Sequence, residues 1–203
     1  MSHFLSDLTP EERDGQKGYG IKTCTSTMDL AWDMHEKGLF PEYAFVRAES
    51  QTRGRGQFRR EWVSEPGNLF VTLRLADSTR ILDNLLPLAV ALCVVGALKD
   101  LHLPARIKWP NDIMMGQAKV GGILIEQKSG AVMAGIGINI GFAPESSHKE
   151  NFFHIKSGCL KKSGVNLEAS RVWRLIFEKI RRHMPGMMKA PEKVAKDTEA
   201  LLA

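Results

Sequence analysis

The stretch Lys108–Glu126, KWPNDIMMGQAKVGGILIE, holds residue types suited to handling a phosphate ester beside a sheet. Lys108 and Lys119 supply two cations eleven positions apart. Asn111-Asp112 lies between them, and the Asp112 carboxylate could ligate magnesium or act as a base. Gly121-Gly122 follows Lys119 and opens an apolar, strand-like run, where glycines let something approach the backbone closely. A second cationic stretch, QTRGRGQFRREW from Gln51 to Trp62, suits the same ligand. Its arginines Arg53, Arg55, Arg59 and Arg60 can grip phosphate oxygens in bidentate fashion. Its glycines Gly54 and Gly56 let backbone N–H groups face an anion.

Each of these features also has a blander reading. Lys119 taken alone is surface solvation, and Pro-Asn-Asp is good turn chemistry. The arginine loop could be a solvated basic loop or an RNA-contacting segment, although only Phe58 and Trp62 offer stacking surfaces and no basic stripe continues beyond it. Trp62 alone reads as a core anchor. Ser26-Thr27 reads first as a helix N-cap, and helix N-termini also face ligands readily.

Several other chemistries find no support. Gly135–Gly141, GIGINIG, lacks GxGxxG spacing, and no GxxxxGK[ST] loop occurs. No HExxH, no CxxC and no Cys/His cluster with zinc spacing is present. Cys24, Cys93 and Cys159 read as reduced thiols of a cytoplasmic protein. The net charge of +5 favours anionic partners, and 43% hydrophobic residues is ordinary for a globular chain. The start shows no secretory signal. The longest apolar run, Leu85 to Leu98, is too short to span a membrane and contains Pro87, so it reads as a helix buried on most sides.

The elements that must position these residues follow from periodicity and punctuation. The first residues, to about Gly18, form a polar lead-in. Strands are expected over Tyr19–Thr23, Ala44–Arg47, Leu69–Leu75, Arg106–Lys108, Ile113–Met115, Val120–Gln127 and Ala131–Ile140. Helices are expected over Ser26–Lys37, Ile81–Leu101, Ser157–Lys162, Ala169–His183 and Pro191–Leu202, with Pro185-Gly186 ending the fourth. Strands dominate the middle and helices the end. That predicts one α+β domain, a mixed β-sheet with helices packed on it, over a doubly wound fold.

Five motifs occur in register: STMDLA from Ser26, the RGRG…W loop, KWPND, KVGGILIE and GIGIN. Together they resemble the catalytic domain of biotin protein ligases, from about Thr23 to the C-terminus and most strongly from Glu49 to Ile140. The resemblance implies a class II aminoacyl-tRNA-synthetase-like, biotin/lipoate ligase fold. It also implies two-step acyl transfer: biotin and ATP give biotinyl-5′-AMP, and a lysine of a biotin carboxyl carrier domain takes the biotinyl group. ATP and magnesium are then required, with biotin as substrate. Ser26, Thr27 and Gln51 would bond the ureido ring, with Gly122 lining that pocket. Arg55 and Lys119 would hold the α-phosphate and the biotin carboxylate. Asn111 and Asp112 would sit near magnesium and the reacting centre, with Asp112 as the metal ligand. Gly54, Gly56 and Asn139 would lie by the nucleotide, and Trp62 would close the loop over the ligand. Until ligand binds, that loop is expected to be mobile.

Gln57 stands where the family loop carries its second arginine, Arg59 where it has a later glycine, and Met28 where asparagine is common. The resemblance leaves no room for a helix-turn-helix before Thr23 and none for the usual C-terminal β-barrel. The expected partners are therefore the carrier domain, biotin and ATP, with neither DNA nor membrane. Exposed strand edges leave a homodimer open. The alternatives are a lipoate or octanoyl ligase or transferase of the same superfamily, and a module that binds biotin or its adenylate without transfer.

Overall fold

A computed structural model of the chain describes residues 6–13, 15–144, 156–164 and 167–203. Among the described residues the frame is a nine-stranded mixed sheet. In chain order the strands are β1 (Thr9–Arg13), β2 (Gln16–Cys24), β3 (Phe45–Gln51), β4 (Leu69–Leu75), β5 (Ala105–Lys108), β6 (Asp112–Met115), β7 (Ala118–Lys128), β8 (Ala131–Ile138) and β9 (Lys156–Ser157). Across the sheet the order is β1-β2-β3-β4-β8-β7-β6-β5, with β9 beside the start of β7. Neighbours run antiparallel except β2/β3 and β7/β9. Helix α1 (Thr27–Glu36) is the crossover that joins parallel β2 and β3.

Strand alternation gives the sheet two faces. On β4, Leu69, Val71, Leu73 and Leu75 point into the larger core. Helices α2 (Leu86–Asp100), α3 (Ala169–Lys189) and α4 (Pro191–Glu199) complete that core. Helix α2 is buried nearly all round, which its apolar sequence requires, and Pro87 stands in its first turn where a missing N–H costs nothing. Trp173 of α3 meets Phe45 edge-on, and Phe177 packs against both at a tilt. The opposite face carries a smaller core from α1, β2 and β3, including Met28, Met34, Phe40 and Met133. The candidate site lies on this second, less covered face.

The mixed sheet and packed helices agree with the sequence reading, and Leu69–Leu75 is a strand with the expected bounds. Several boundaries need correction. The polar lead-in contains β1, an edge strand paired with β2, and Glu11 of β1 bonds Arg47 of β3 at 2.7 Å. Residues 1–5 and 14 lie outside the described part. The helix expected from Ile81 begins at Leu86, because Asp83 takes φ 42° and separates a 3-10 turn over Asp77–Leu85 from α2. Pro185 does not stop α3. The helix continues because Met184 is fully buried and Met187 and Met188 pack on the core beyond it. Ser157–Lys162 is not a helix: the Gly158 N–H bonds the Lys119 carbonyl at 2.8 Å, so this backbone extends the sheet before a 3-10 turn at Leu160–Ser163.

Candidate functional site

The start of α1 and the end of β3 meet because Cys24 and Gln51 are partners in the parallel β2/β3 pair. A helix start leaves N–H groups without intrahelical acceptors. Here Ser26 Oγ accepts from Met28 N–H at 3.2 Å, and Gln51 Oε1 accepts from Thr27 N–H at 2.8 Å and from Thr27 Oγ1 at 3.1 Å. Thr72 Oγ1, on the site face of β4, donates to Thr27 Oγ1 at 3.0 Å. Gln51 Nε2 donates to Ser64 Oγ at 2.8 Å, and Ser64 Oγ donates to the Trp62 carbonyl at 2.9 Å. The result is a continuous polar chain whose members Thr27, Gln51 and Thr72 line a cavity of about 250 Å³, as does Ser26.

Glycines clear the floor of that cavity. Gly122 of β7 and Gly137 of β8 are cross-strand partners, and the Trp62 indole rests on both. A Cβ on Gly137 would come within 2.7–2.9 Å of the indole, and one on Gly122 within 3.0 Å. Side chains at either position would therefore displace Trp62. The indole Nε1 is buried without a hydrogen-bond partner. Trp62 is neither an ordinary core anchor nor a surface residue; it covers part of the cavity floor.

A β-bulge aims Lys119. Residue Ile113 pairs with Gly121, but Met114 pairs with Lys119, so Val120 is an extra residue in β7. Val120 and Gly121 both face the larger core. Lys119 is thereby turned to the side of Gly122, whose Cβ would lie 3.6 Å from Lys119 Cε. Its Nζ sits 2.5 Å from Asp112 Oδ1 and 5.5 Å from the Trp62 ring centre. Asn111 follows the cis Trp109–Pro110 peptide and locks the strand ends together. Its Nδ2 donates to the Ile123 carbonyl at 2.7 Å, and its carbonyl accepts from Ile123 N–H at 3.0 Å.

The arginine loop folds over the same hollow as an irregular hairpin. Gly54–Trp62 and Gly56–Arg60 backbone bonds of 2.8 Å close it, with Phe58 at an exposed tip with φ 55°. Arg55 reaches across to Asp29 of α1 at 2.7 Å and to Glu126 of β7 at 3.2 Å. Arg55, Gly56, Trp62, Asn111, Asp112, Lys119 and Gly122 all line the one cavity with Ser26, Thr27 and Gln51. Two cationic stretches, far apart in sequence, thus converge on a hollow that the polar chain also lines. Burial, and secondarily the Asp29 carboxylate, push the nearby Cys24 thiol up to about 12, so no thiolate nucleophile stands here.

The sequence model of the biotin/lipoate A/B protein ligase family matches residues 19–143, well over half of the chain. The chain belongs to this family. A biotin–[acetyl-CoA-carboxylase] ligase of Paracoccus denitrificans is 39% identical over 116 residues, which is 53% of this chain and 48% of that protein. The bifunctional ligase/repressor BirA of Bacillus subtilis is 30% identical over 166 residues, 76% of this chain and 50% of that protein. The chain thus spans about half the length of these curated relatives. Among solved structures, the biotin protein ligase of Leishmania major in complex with biotinyl-5-AMP superposes with a TM-score of 0.79 at 26% identity, covering 92% of this chain and 81% of that one. The Aquifex aeolicus biotin protein ligase in complex with biotin and ATP shares the fold, with a TM-score of 0.75 at 24% identity over 91% of this chain and 78% of that one.

Within this ligase-family fold, two candidate residues stand outside the cavity wall. Gly54 lies beneath the Trp62 carbonyl and the Ser64 and Gln51 side chains, a packing position where a Cβ has no room. Asn139 is buried and donates to the Gly158 carbonyl at 3.1 Å, while its Oδ1 has no partner. As to metal, Asp112 is a single carboxylate already paired with Lys119. The described residues contain no group of three or more His, Cys, Asp or Glu that could hold an ion. That donor set fits magnesium carried in with phosphate oxygens rather than a protein-only cage.

Thr72, Ser64, Gly137, Asp29 and Glu126 were not singled out by sequence. Thr72 had a signal, a hydroxyl inside an otherwise apolar strand. Gly135 and Gly137 alternate with apolar residues, which marks them as sharing one face. Asp29 and Glu126 are acidic residues at surface positions, and nothing local tells them from solvated ones.

Proposed function

We propose that this chain ligates biotin to a lysine of a biotin carboxyl carrier domain through biotinyl-5′-AMP. One observation carries the reading: Arg55 and Lys119, from separate stretches, line one small cavity together with a chain of uncharged polar groups. A cyclic urea needs such donors and acceptors at one end, and its carboxylate tail needs cations at the other. A long apolar lipoyl or octanoyl chain has no use for Thr27, Gln51 and Thr72 at its terminus.

In the first step a carboxylate oxygen of biotin attacks the α-phosphorus of ATP and pyrophosphate leaves. Lys119 and Arg55 act by opposing the negative charge gathered there, and they bring the two anions together. A magnesium ion arriving with ATP would add charge neutralisation on the leaving pyrophosphate, with Asp112 as the residue able to hold it. In the second step the lysine amine attacks the acyl carbon. AMP leaves with the bridging oxygen, and the amine gives up its proton. Trp62 and the arginine loop cover the floor and restrict water, which protects an acyl phosphate from hydrolysis. Asn111 acts indirectly, by holding the Asp112 strand against β7.

Biotin-dependent exchange of labelled pyrophosphate into ATP tests the first step, and labelling of one carrier lysine tests the second. Exchange with biotin and none with lipoate is expected. Exchange without carrier labelling would reduce the chain to an adenylating half. Exchange with lipoate alone would overturn the substrate assignment.

A further inference from the structure

We infer, on the reading of the cavity as a biotin site, that Met28 selects the ring system of the substrate. Its thioether is the apolar wall against which the sulfur-bearing ring packs, beside the groups that bond the urea. On the site face two cross-strand rows run over β4, β8 and β7. Thr72, Gly135 and Leu124 form one, and Phe70, Gly137 and Gly122 form the other. Each row has a glycine of β8 at its centre, and each of these glycines is covered by one side chain from elsewhere. Trp62 covers Gly137, and Met28 covers Gly135, where a Cβ would come within 3.0 Å of Met28 Cε. Met28 is buried in the first turn of α1 and lines the cavity directly after Thr27. Its N–H is held by Ser26 Oγ at 3.2 Å, so the backbone is pinned and only the unbranched, polarisable side chain can adapt to a ligand.

The polar chain and this apolar wall share a border. Thr27 precedes Met28 in sequence, and Thr72 is the cross-strand partner of the glycine that Met28 covers. A urea bonded by Thr27, Gln51 or Thr72 therefore has Met28 as its neighbour. Biotin is rigid at that point, because its urea shares an edge with a five-membered ring that holds the sulfur. The outer surface of that ring is C–H and thioether, which gains from close dispersion contact and asks for no hydrogen bond. Met28 supplies such contact, and Leu124 continues the apolar surface along the same row. The asparagine common at this position in the family would instead bring an amide that needs partners of its own.

Met28 also packs in the smaller core with Met34 and Met133, and the test must separate that plainer role. The experiment is calorimetric titration with biotin and with desthiobiotin, which keeps the urea and the carboxylate tail but lacks the sulfur and so the second ring. The readout is the ratio of the two Kd values on one sample, which a loss of folded molecules does not move. Met28→Ala should weaken biotin about tenfold and desthiobiotin much less, so that the preference for biotin falls by about three- to fivefold. Met28→Leu, of similar volume, should fall between that variant and the parent. Gly135→Ala should push the thioether into the cavity and weaken biotin by about fivefold, but by about twofold or less when combined with Met28→Ala. A preference in Met28→Ala equal to the parent's, or an equal cost of Gly135→Ala in both backgrounds, would overturn the assignment and leave Met28 a core residue. A parent that binds neither compound defeats the biotin reading and this one with it, whereas biotin binding with an unmoved ratio defeats this one alone.

Discussion

The two faces of the sheet are built from the same strands and are packed for different purposes. On the helix-covered face, alternate residues of β4 and β8 are large and apolar and interlock with α2 and α3. On the other face, the intervening positions are Phe70, Thr72, Gly135 and Gly137, which leave a hollow that Trp62 only partly fills. Period-two alternation thus lets one strand serve stability with one set of alternate residues and border the cavity with the other. The densely packed face interlocks apolar side chains, although the indole Nε1 of Trp173 is buried there without a hydrogen-bond partner, as Trp62 Nε1 is on the open face. The open face differs in holding an ion pair in place of apolar contact and glycines in strand interiors. Substitutions on the first face should therefore act on folding, and those on the second on turnover.

The largest expected effect is on the packed face. Trp173 is fully buried between Phe45 and Phe177, with ring centres 5.2 and 5.4 Å away. Trp173→Ala should lower stability by about 3–5 kcal/mol through lost burial and a cavity. The urea midpoint should fall accordingly, while folded molecules keep their biotin KM. A variant with near-parent stability would mean that α3 is not anchored there.

Next comes Lys119→Ala on the open face. Losing one preorganised charge at a developing anion should lower biotin-dependent exchange about 10²–10³-fold. The urea midpoint should move far less than for Trp173→Ala, since the Lys119–Asp112 pair is partly exposed. Turnover within a few-fold of the parent would remove Lys119 from the chemistry. It would also undo the division between the faces, because the bulge at Val120 would then aim nothing.

How much of this division the sequence could carry depended on whether the signal was local. Leu69–Leu75 alternates, and that alone fixes its bounds; the apolar run of α2 marks a buried helix but not its start, which falls at Leu86 rather than Ile81. Lys119 before two glycines stood out because a solvated lysine has no reason to open a buried strand. The N-cap at Ser26 followed from its type and place. Strand β1 escaped because an edge strand needs no apolar residues once a neighbour supplies its hydrogen bonds. Helix α3 outran Pro185 because methionines beyond the proline found core contacts that no local rule sees. The glycines of GIGINIG lack the spacing of a dinucleotide fingerprint. Their role as a floor shows only once Trp62 folds over from a distant loop. Asp29 and Glu126 are ordinary acids until Arg55 stands between them.

The smallest predicted effect is the most discriminating, because it sits on a strand shared by both faces. Thr72 is fully buried, flanked along β4 by Val71 and Leu73, which point into the large core. Its own hydroxyl points the other way and donates to Thr27 Oγ1, which in turn donates to Gln51 Oε1. Thr72→Val keeps the branched shape that suits a strand but removes that donor. Thr27 Oγ1 then keeps its bond to Gln51 but loses the bond from Thr72, and the chain of polar groups is cut at one end. A net hydrogen bond of about 1 kcal/mol corresponds to roughly fivefold in affinity. The KM for biotin should rise by about that factor, with kcat for exchange nearly unchanged, because the altered group belongs to the uncharged polar chain and supplies no charge to the reacting phosphate. A fall in the urea midpoint with an unaltered biotin KM would instead make Thr72 a packing residue. The two faces would then not be separable within a single strand, and the polar chain would be a folding device that happens to border the cavity.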